Sequence, residues 1–254
     1  GVVGAEQVQV MDGARILPVL VANLGRAYVD CRGVIPLGHP DDTHLDSQER
    51  LHNVLDRIET ASYSARALTM VCGARHAASS RSIVKSIVLC GALDELLRIA
   101  GRVSRIDMRI SQCGPVAWNR YAGAVGSLLA QTTGALLNLA ALDGKTPTSE
   151  RSFVSVPEYF DALLAVFRCR FTTTATVGSV SLEVNAINDV CFLQAATNCC
   201  GALAVCCGLS HEARASLPGS GIVALLLLLM DKLWVVRNAK TVHASKRSAA
   251  TKCL

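Results

Sequence analysis

Aromatic side chains and charge are both scarce in this sequence. Phe, Tyr and Trp together make up 4% of the 254 residues, and charged residues make up 18%, against about 25% in a typical soluble domain. Because 51% of the residues are nevertheless apolar, the core must be built mainly from Ala, Val, Leu, Ile and Cys, which suit closely stacked helices. A chain this apolar and weakly charged is expected to cover part of its surface in a larger assembly.

Recognisable catalytic motifs are also lacking. The sequence contains no H-E-x-x-H, no G-x-S-x-G and no C-x-x-C pair. Gly144-Lys145-Thr146 matches the end of a phosphate-binding loop, but that motif needs a Gly where Leu139 stands and a strand before it, whereas a helix is predicted there. The histidines between His39 and His52 are expected to be solvated. A Cys–His pair that meets only in space is left open; otherwise we predict a protein that is not an enzyme and has no cofactor.

The 11 cysteines are an odd number, and many lie in apolar helical runs. Cys199-Cys200 and Cys206-Cys207 are seven residues apart, so each residue shares a helix face with its counterpart. Structural zinc sites usually gather ligands from short C-x-x-C turns, and no nearby His or third Cys pair completes a set. We therefore predict buried thiols, no metal and a reducing compartment such as the cytoplasm.

The positive charge is concentrated at one end of the chain. The net charge is +5 and the pI is near 8.7, below the pI above ~9 that is typical of nucleic-acid-binding domains. Five basic residues nevertheless crowd into the last 20: Arg237, Lys240, Lys246, Arg247 and Lys252. They predict either a solvated terminus or a contact with an acidic partner, such as RNA or a tubulin surface.

No signal peptide or membrane span is predicted. The apolar run Gly221 to Met230 covers ten residues, whereas a membrane helix needs ~20, so we expect a buried core helix and no membrane. The start, Gly1 to Gly4, is typical of a segment inside a structure, and we expect the chain to belong to something longer.

Apolar spacing and breaker residues predict an all-α fold. A helix should end near Gly25, the next should begin at Asp46 or Ser47 with a possible break near Ser62, and the β-branched stretch Thr172–Thr176 should be a loop, although strand spacing there is left open. The predicted helices cover 13–26, 46–71, 83–88, 92–100, 118–142, 149–156, 157–168, 182–209, 211–217 and 222–230, with a basic helix after them.

One pattern recurs along the chain. A helix-like run carries Leu68, a second carries Leu136 and a third carries Leu203, at intervals of 68 and 67 residues. A near-constant interval is the signature of stacked repeats, which usually bind other macromolecules. We therefore predict one repeat domain over 1–254, with approximate repeats 1–74, 75–142 and 143–209 and a partial repeat 210–254.

The repeated motifs resemble the armadillo family over nearly the whole chain. Gly91-Ala92-Leu93-Asp94-Glu95-Leu96-Leu97 matches that family's turn and second helix, and Gly219 to Leu226 matches the turn again. Ala135 to Ala140 matches the end of its third helix. The resemblance implies a right-handed α-solenoid of about three to four three-helix repeats. Because the interval exceeds the usual ~40–47 residues, the connections between second and third helices should be extended.

In that family the third helices line a groove that holds extended peptides, with an Asn gripping the peptide backbone and a Trp one turn earlier. Here Asn138 matches the Asn, while Met70 and Val205 replace it in the other units. Arg66, Gly134 and Gly201 occupy the Trp positions, so the importin-like ladder is missing. The predicted partner-binding residues are Tyr63, Arg66, Gln131, Asn138, Gln194 and Asn198 in the groove, and Arg237, Lys240, Lys246 and Arg247 at the basic end.

The sequence therefore favours a non-enzymatic scaffold or adaptor that binds protein partners. Its weak charge favours permanent embedding in a cytoskeletal or axonemal assembly, with tubulin or another cytoskeletal protein as partner and the cytoplasm, cytoskeleton or flagellar axoneme as location. Long connections are where partner-specific contacts could lie. The alternatives are a ribonucleoprotein component that binds nucleic acid, ranked second, and an importin-like cargo binder.

Overall fold

The computed structural model describes residues 16–31, 44–73, 84–102, 115–143, 157–171, 174–177, 180–183 and 190–238. These residues are helical apart from short turns and one hairpin, which confirms the all-α class. The helices are α1 (Ile16–Cys31), α2 (His44–Cys72), α3 (84–89), α4 (Ala92–Arg102), α5 (Pro115–Asp143), α6 (Pro157–Phe171), α7 (Val190–Leu209), α8 (His211–Ser216) and α9 (Ile222–Asn238). A 3₁₀ turn, Pro218–Ser220, precedes α9.

The helices form two rows. The three long helices α2, α5 and α7 pack side by side in chain order. The shorter helices α1, α4, α6 and α9 form the second row, in which each contacts the next. The rows also contact each other, with α1 on α2, α4 on α5 and α6 on α7. Helices α1, α4 and α6 thus each contact one long helix and the next shorter helix.

The core lies between the rows and between the long helices. Leu55, Ile58 and Leu68 on α2 are at most 1% exposed, and their spacing of three and ten residues places them on one side of the helix. Helix α5 is buried on more than one side, since it contacts both α2 and α7. Aliphatic side chains form most of this core, although Tyr121, Tyr159 and Phe167 are among the largest fully buried side chains. Each buried Leu or Ile stabilises the fold by about 1.5–3 kcal/mol.

Two of the long helices are apolar enough to span a membrane by length and composition alone. They are the stretches Arg120–Asp143 and Val190–Leu209. Both lie in the row of long helices, packed against other helices of the chain. Core helices of soluble proteins pass the same test, so this observation does not by itself argue for a membrane.

Glycines allow the long helices to approach each other. A Cβ atom at Gly126 of α5 would lie 3.2 Å from Phe192 Cζ and 3.3 Å from Cys191 Cβ on α7. A Cβ atom at Gly201 of α7 would lie 3.1 Å from Leu137 Cδ1 on α5. These contacts agree with the prediction from composition that the helices are closely stacked.

Several predicted helix boundaries are wrong. Helix α1 continues through Gly25 to Cys31, because an interior glycine weakens a helix by only about 1 kcal/mol relative to alanine. Helix α2 begins at His44, before the predicted cap, and shows no break at Ser62. There the Ser62 hydroxyl lies 2.9 Å from that of Ser127, which ties α2 to α5. Helix α9 extends to Asn238, beyond the predicted end.

A hairpin replaces the predicted loop before α7. Thr174–Val177 (β1) pairs antiparallel with Val180–Glu183 (β2), with Thr174 opposite Glu183. The β-branched residues that made this stretch unsuitable for a helix favour a strand. Consequently α7 begins at Val190 rather than 182. The predicted helix 149–156 and the basic helix beyond α9 lie outside the described residues.

The turns before α4 and α9 agree with their sequences. Gly91 has φ of 79° and Gly221 has φ of 73°, the left-handed region that favours glycine. Pro157 begins α6, as predicted from its missing N–H. Helix α8 is capped by Ser210, whose Oγ accepts a hydrogen bond from Ala213 N at 3.2 Å. These local signals fix where the shorter helices start.

Candidate interaction face

The exposed side of α2 carries two large apolar residues and an arginine between them. Tyr63 is 69% exposed and Met70 is 47% exposed. Arg66 is also exposed. Their spacing of three and four residues places all three on one side of the helix. We call these residues the α2 face.

Polar contacts join α2 to α5 beside this face. Thr69 Oγ1 lies 2.9 Å from the Gln131 carbonyl oxygen of α5 and 2.9 Å from the Ala65 carbonyl oxygen of its own helix. In return Asn138 Nδ2 donates to the Thr69 carbonyl oxygen at 2.9 Å. The side chain that matches the peptide-gripping Asn thus links two helices of this chain.

A second set of polar contacts joins α5 to α7. Asn198 Nδ2 donates to the Ala130 carbonyl oxygen at 2.9 Å and to Thr133 Oγ1 at 3.3 Å. Gln194 Nε2 donates to Asn198 Oδ1 at 3.0 Å. Asn198, predicted to line the groove, is only 8% exposed, and its amide group is hydrogen-bonded between α7 and α5.

The positions aligned with the family's Trp do not form pockets. A Cβ atom at Gly134 would lie 3.3 Å from Asn198 Nδ2 and 3.4 Å from Thr69 Cγ2. Leu137 occupies the corresponding space at Gly201. Neighbouring helices therefore fill the space beside both glycines, and Arg66 alone among the three aligned residues projects into solvent.

The structure thus separates the predicted binding residues into groups. Tyr63 and Arg66 lie together on the exposed α2 face, while Gln131 and Asn138 are half-buried where α5 meets α2. Gln194 is exposed on α7. Arg237 lies in α9, but its side chain is not among those described, and Lys240, Lys246 and Arg247 lie outside the described residues.

Sequence reasoning missed two exposed features. It treated Met70 as a substitution in the Asn ladder rather than as a binding residue. It also treated the Gly221–Met230 run as buried, although Val223, Leu227 and Met230 are 49%, 62% and 50% exposed. No sequence signal singled out these three residues, because the run from Gly221 to Met230 is apolar throughout.

Three of the described thiols, those of Cys72, Cys206 and Cys207, are poorly suited to nucleophilic chemistry. Burial raises the pKa of the Cys72 thiol and raises that of Cys206 to about 12. Burial also raises the pKa of Cys207, against the lowering effect of Arg214. Because the thiolate is the nucleophile and metal ligand, these groups remain protonated and inert at neutral pH. Among the described residues, no group of three or more His, Cys, Asp or Glu side chains could hold a metal ion.

Tyr159 joins α6 to α5, and its burial keeps the phenol neutral. Tyr159 is fully buried, and its hydroxyl donates to the Leu136 carbonyl oxygen at 2.7 Å. Burial raises the pKa of Tyr159, and nearby Cys206, Cys199 and Asp143 raise it further. The site is therefore a neutral packing contact between the two rows.

Comparison with known proteins assigns this chain to no family. No family model, no curated protein and no solved structure matches this chain.

Proposed function

We propose that this chain is a non-enzymatic scaffold or adaptor that binds a protein segment along the α2 face. The observation that carries the proposal is the exposure of Tyr63, Arg66 and Met70 on one side of α2. Tyr, Met and Arg are the side chains enriched at the centres of protein interfaces. Together on one side of a packed helix, these three side chains offer a surface that a partner segment can cover.

The α2 face combines two apolar side chains with a hydrogen-bond donor. Tyr63 and Met70 are seven residues apart, so their side chains are separated by about 10 Å along the helix. Arg66 between them offers a planar set of donors for a carboxylate or backbone carbonyl. The fitting partner is therefore an extended or helical segment with two apolar side chains flanking an acceptor.

The two-row packing supports a solenoid of the armadillo type. Three long helices lie in chain order, and linked residues in neighbouring long helices are 62 to 69 positions apart. This regular offset agrees with the repeat interval of 67 to 68 residues found in the sequence. Within this class we propose a cytoskeletal or axonemal assembly as the setting, on the strength of the low charge.

Site-specific photocrosslinking tests the proposal. Benzoylphenylalanine at Tyr63 should crosslink to a defined protein in the cells that make this chain, whereas the same group at exposed Glu158 on α6 should not. The variant Met70→Ala or Arg66→Glu should reduce the yield of that same product. Equal labelling from positions 63 and 158, or a yield unchanged by both variants, would refute the binding role of the α2 face.

The nucleic-acid alternative rests on a different region. Of the basic residues that motivate it, only Arg237 lies among the described residues, in α9. Binding to RNA should weaken steeply as salt rises, with a slope proportional to the phosphates contacted. An importin-like ladder is disfavoured because glycines 134 and 201 stand where the Trp side chains would be and are covered by neighbouring helices.

A further inference from the structure

An acidic residue lies one turn before the α2 face, on the same side of the helix. Glu59 is exposed, and it precedes Tyr63 by four residues and Arg66 by seven. The exposed Tyr63 therefore lies between a negative side chain and a positive one. Along the helix axis Glu59 and Arg66 are separated by about 10 Å.

Neither of these two charges is neutralised within the described part of the chain. No oppositely charged residue lies three or four positions from Glu59 or from Arg66, the spacings at which side chains meet on a helix. On α4, by contrast, Arg98 pairs with Glu95 at 3.0 Å over a spacing of three. Among the described residues, Glu59 and Arg66 have no ion-pair partner, so both charges face solvent and are open to a partner molecule.

We infer, on the basis of the function proposed for the α2 face, that the partner segment is an amphipathic helix that lies antiparallel to α2. It carries an acidic residue opposite Arg66 and a basic residue opposite Glu59. Apolar residues of the same helix cover Tyr63 and Met70. Complementary charges of this kind fix the register and direction of a bound segment more than they raise its affinity.

The separation of the two charges favours a helix over a β-strand. Residues seven apart in a helix lie about 10 Å apart on the same side, which matches the distance from Glu59 to Arg66. In a strand the same distance spans three residues at about 3.3 Å each, and residues three apart point to opposite faces. A β-strand therefore cannot present both complementary charges to α2. A polyproline II segment, with three residues per turn, is the competing geometry.

The order of the charges sets the direction of the partner helix. In the antiparallel direction the partner reaches Arg66 before Glu59, so its acidic residue precedes its basic residue. Acidic residues are stabilising near the N-terminus of a helix and basic residues near its C-terminus, because of the helix dipole. The parallel direction would reverse this order and place both charges at the unfavourable ends of the partner helix.

Fluorescence anisotropy with two labelled synthetic peptides and the full chain tests the charge pattern. The first is an alanine-rich helical peptide with leucine, glutamate, leucine and lysine spaced to face, in that order, Met70, Arg66, Tyr63 and Glu59. The second peptide exchanges its glutamate and lysine. The chain should bind the first about tenfold more tightly, because the exchange turns two attractive charge pairs into two repulsive ones. The ratio should approach one at about 1 M salt, where the Debye length is about 3 Å.

Charge reversal in the protein provides the sharper test. The double variant Glu59→Lys with Arg66→Glu should bind the second peptide more tightly than the first. The matched control is Glu158→Lys with Arg120→Glu, which has the same net charge and changes exposed residues of α6 and α5; it should keep the wild-type preference. Equal affinity of the wild type for the two peptides, no binding of either up to about 1 mM, or an unreversed preference in the folded double variant would overturn the inference.

A third peptide separates a helix from a polyproline II segment. It replaces central alanines of the first peptide by proline, which breaks a helix, and it should lose binding; retained binding would overturn the helical partner. These outcomes are distinct from failure of the proposed function. A crosslink from position 63 together with equal peptide affinities would overturn the charge pattern alone, whereas a crosslink from position 63 no stronger than that from Glu158 would refute the α2 face itself.

Discussion

Asn198→Ala is the perturbation that most directly tests whether the asparagines on the long helices are structural. Asn198 is 8% exposed, and its amide donates to the Ala130 carbonyl oxygen and to Thr133 Oγ1. The substitution removes both hydrogen bonds between α7 and α5 and leaves a small void. Gln194 also loses its acceptor, but Gln194 is exposed and can turn to water.

The magnitude follows from these contacts. Each hydrogen bond contributes about 0.5–1.5 kcal/mol net, and the void adds to the loss, so Asn198→Ala should destabilise the chain by about 2–3 kcal/mol. Asn138→Ala removes one hydrogen bond at a half-buried site and should cost about 1 kcal/mol. Gln194→Ala loses a hydrogen bond from an exposed side chain and should cost less than about 0.5 kcal/mol.

Urea unfolding followed by circular dichroism measures the series. For a chain of this size, about 2–3 kcal/mol corresponds to a fall in Tm of roughly 5–10 °C, so thermal melts provide a second readout. The order should be Asn198, then Asn138, then Gln194. If Asn198→Ala costs no more than Gln194→Ala, the amide does not join the helices. If Asn138→Ala weakens partner binding without lowering stability, Asn138 serves a ligand instead.

Three further predictions concern packing and pH. Gly123→Ala on α5 should stabilise the chain by about 0.5–1 kcal/mol, since a Cβ atom there meets nothing within 4 Å. Gly126→Ala should instead destabilise the chain by about 1–3 kcal/mol, because its Cβ atom would press on α7. Equal urea midpoints for the two variants would contradict the close approach of α5 and α7. Thr132→Val should stabilise the chain by about 1 kcal/mol, because the buried Thr132 Oγ1 has no hydrogen-bond partner in the described structure. Thr133→Val should destabilise it, because Thr133 Oγ1 accepts a hydrogen bond from Asn198 on α7. A Thr132→Val variant less stable than Thr133→Val would contradict these hydrogen-bond assignments. Burial raises the folded pKa of Cys206 from 9.0 to about 12, so the unfolded state loses this proton first, and the contribution of Cys206 to the free energy of unfolding should be constant below about pH 8 and fall between pH 9 and 12. Cys206→Ala should make the measured fall over that range shallower, and an unchanged slope would contradict the burial of the thiol.

The sequence predicted most of the helices because their signals are local. Gly91 and Gly221 mark turns that need a positive φ, and Pro157 begins a helix. Apolar spacing also predicted the helix that carries Leu55 and Leu68, and both residues are buried in the structure. Each of these features depends on residues within one or two turns of helix, so no knowledge of the fold was needed.

The errors arose where distant contacts decide the structure. Asn198 appeared to be an exposed polar residue, because nothing near it in the sequence shows that Ala130, 68 residues earlier, supplies its acceptor. Thr174–Val177 forms a strand because Val180–Glu183 pairs with it, and pairing is not visible in a single short run of β-branched residues. The exposed side of α9 was likewise missed, since an apolar run does not reveal which of its sides finds a neighbour.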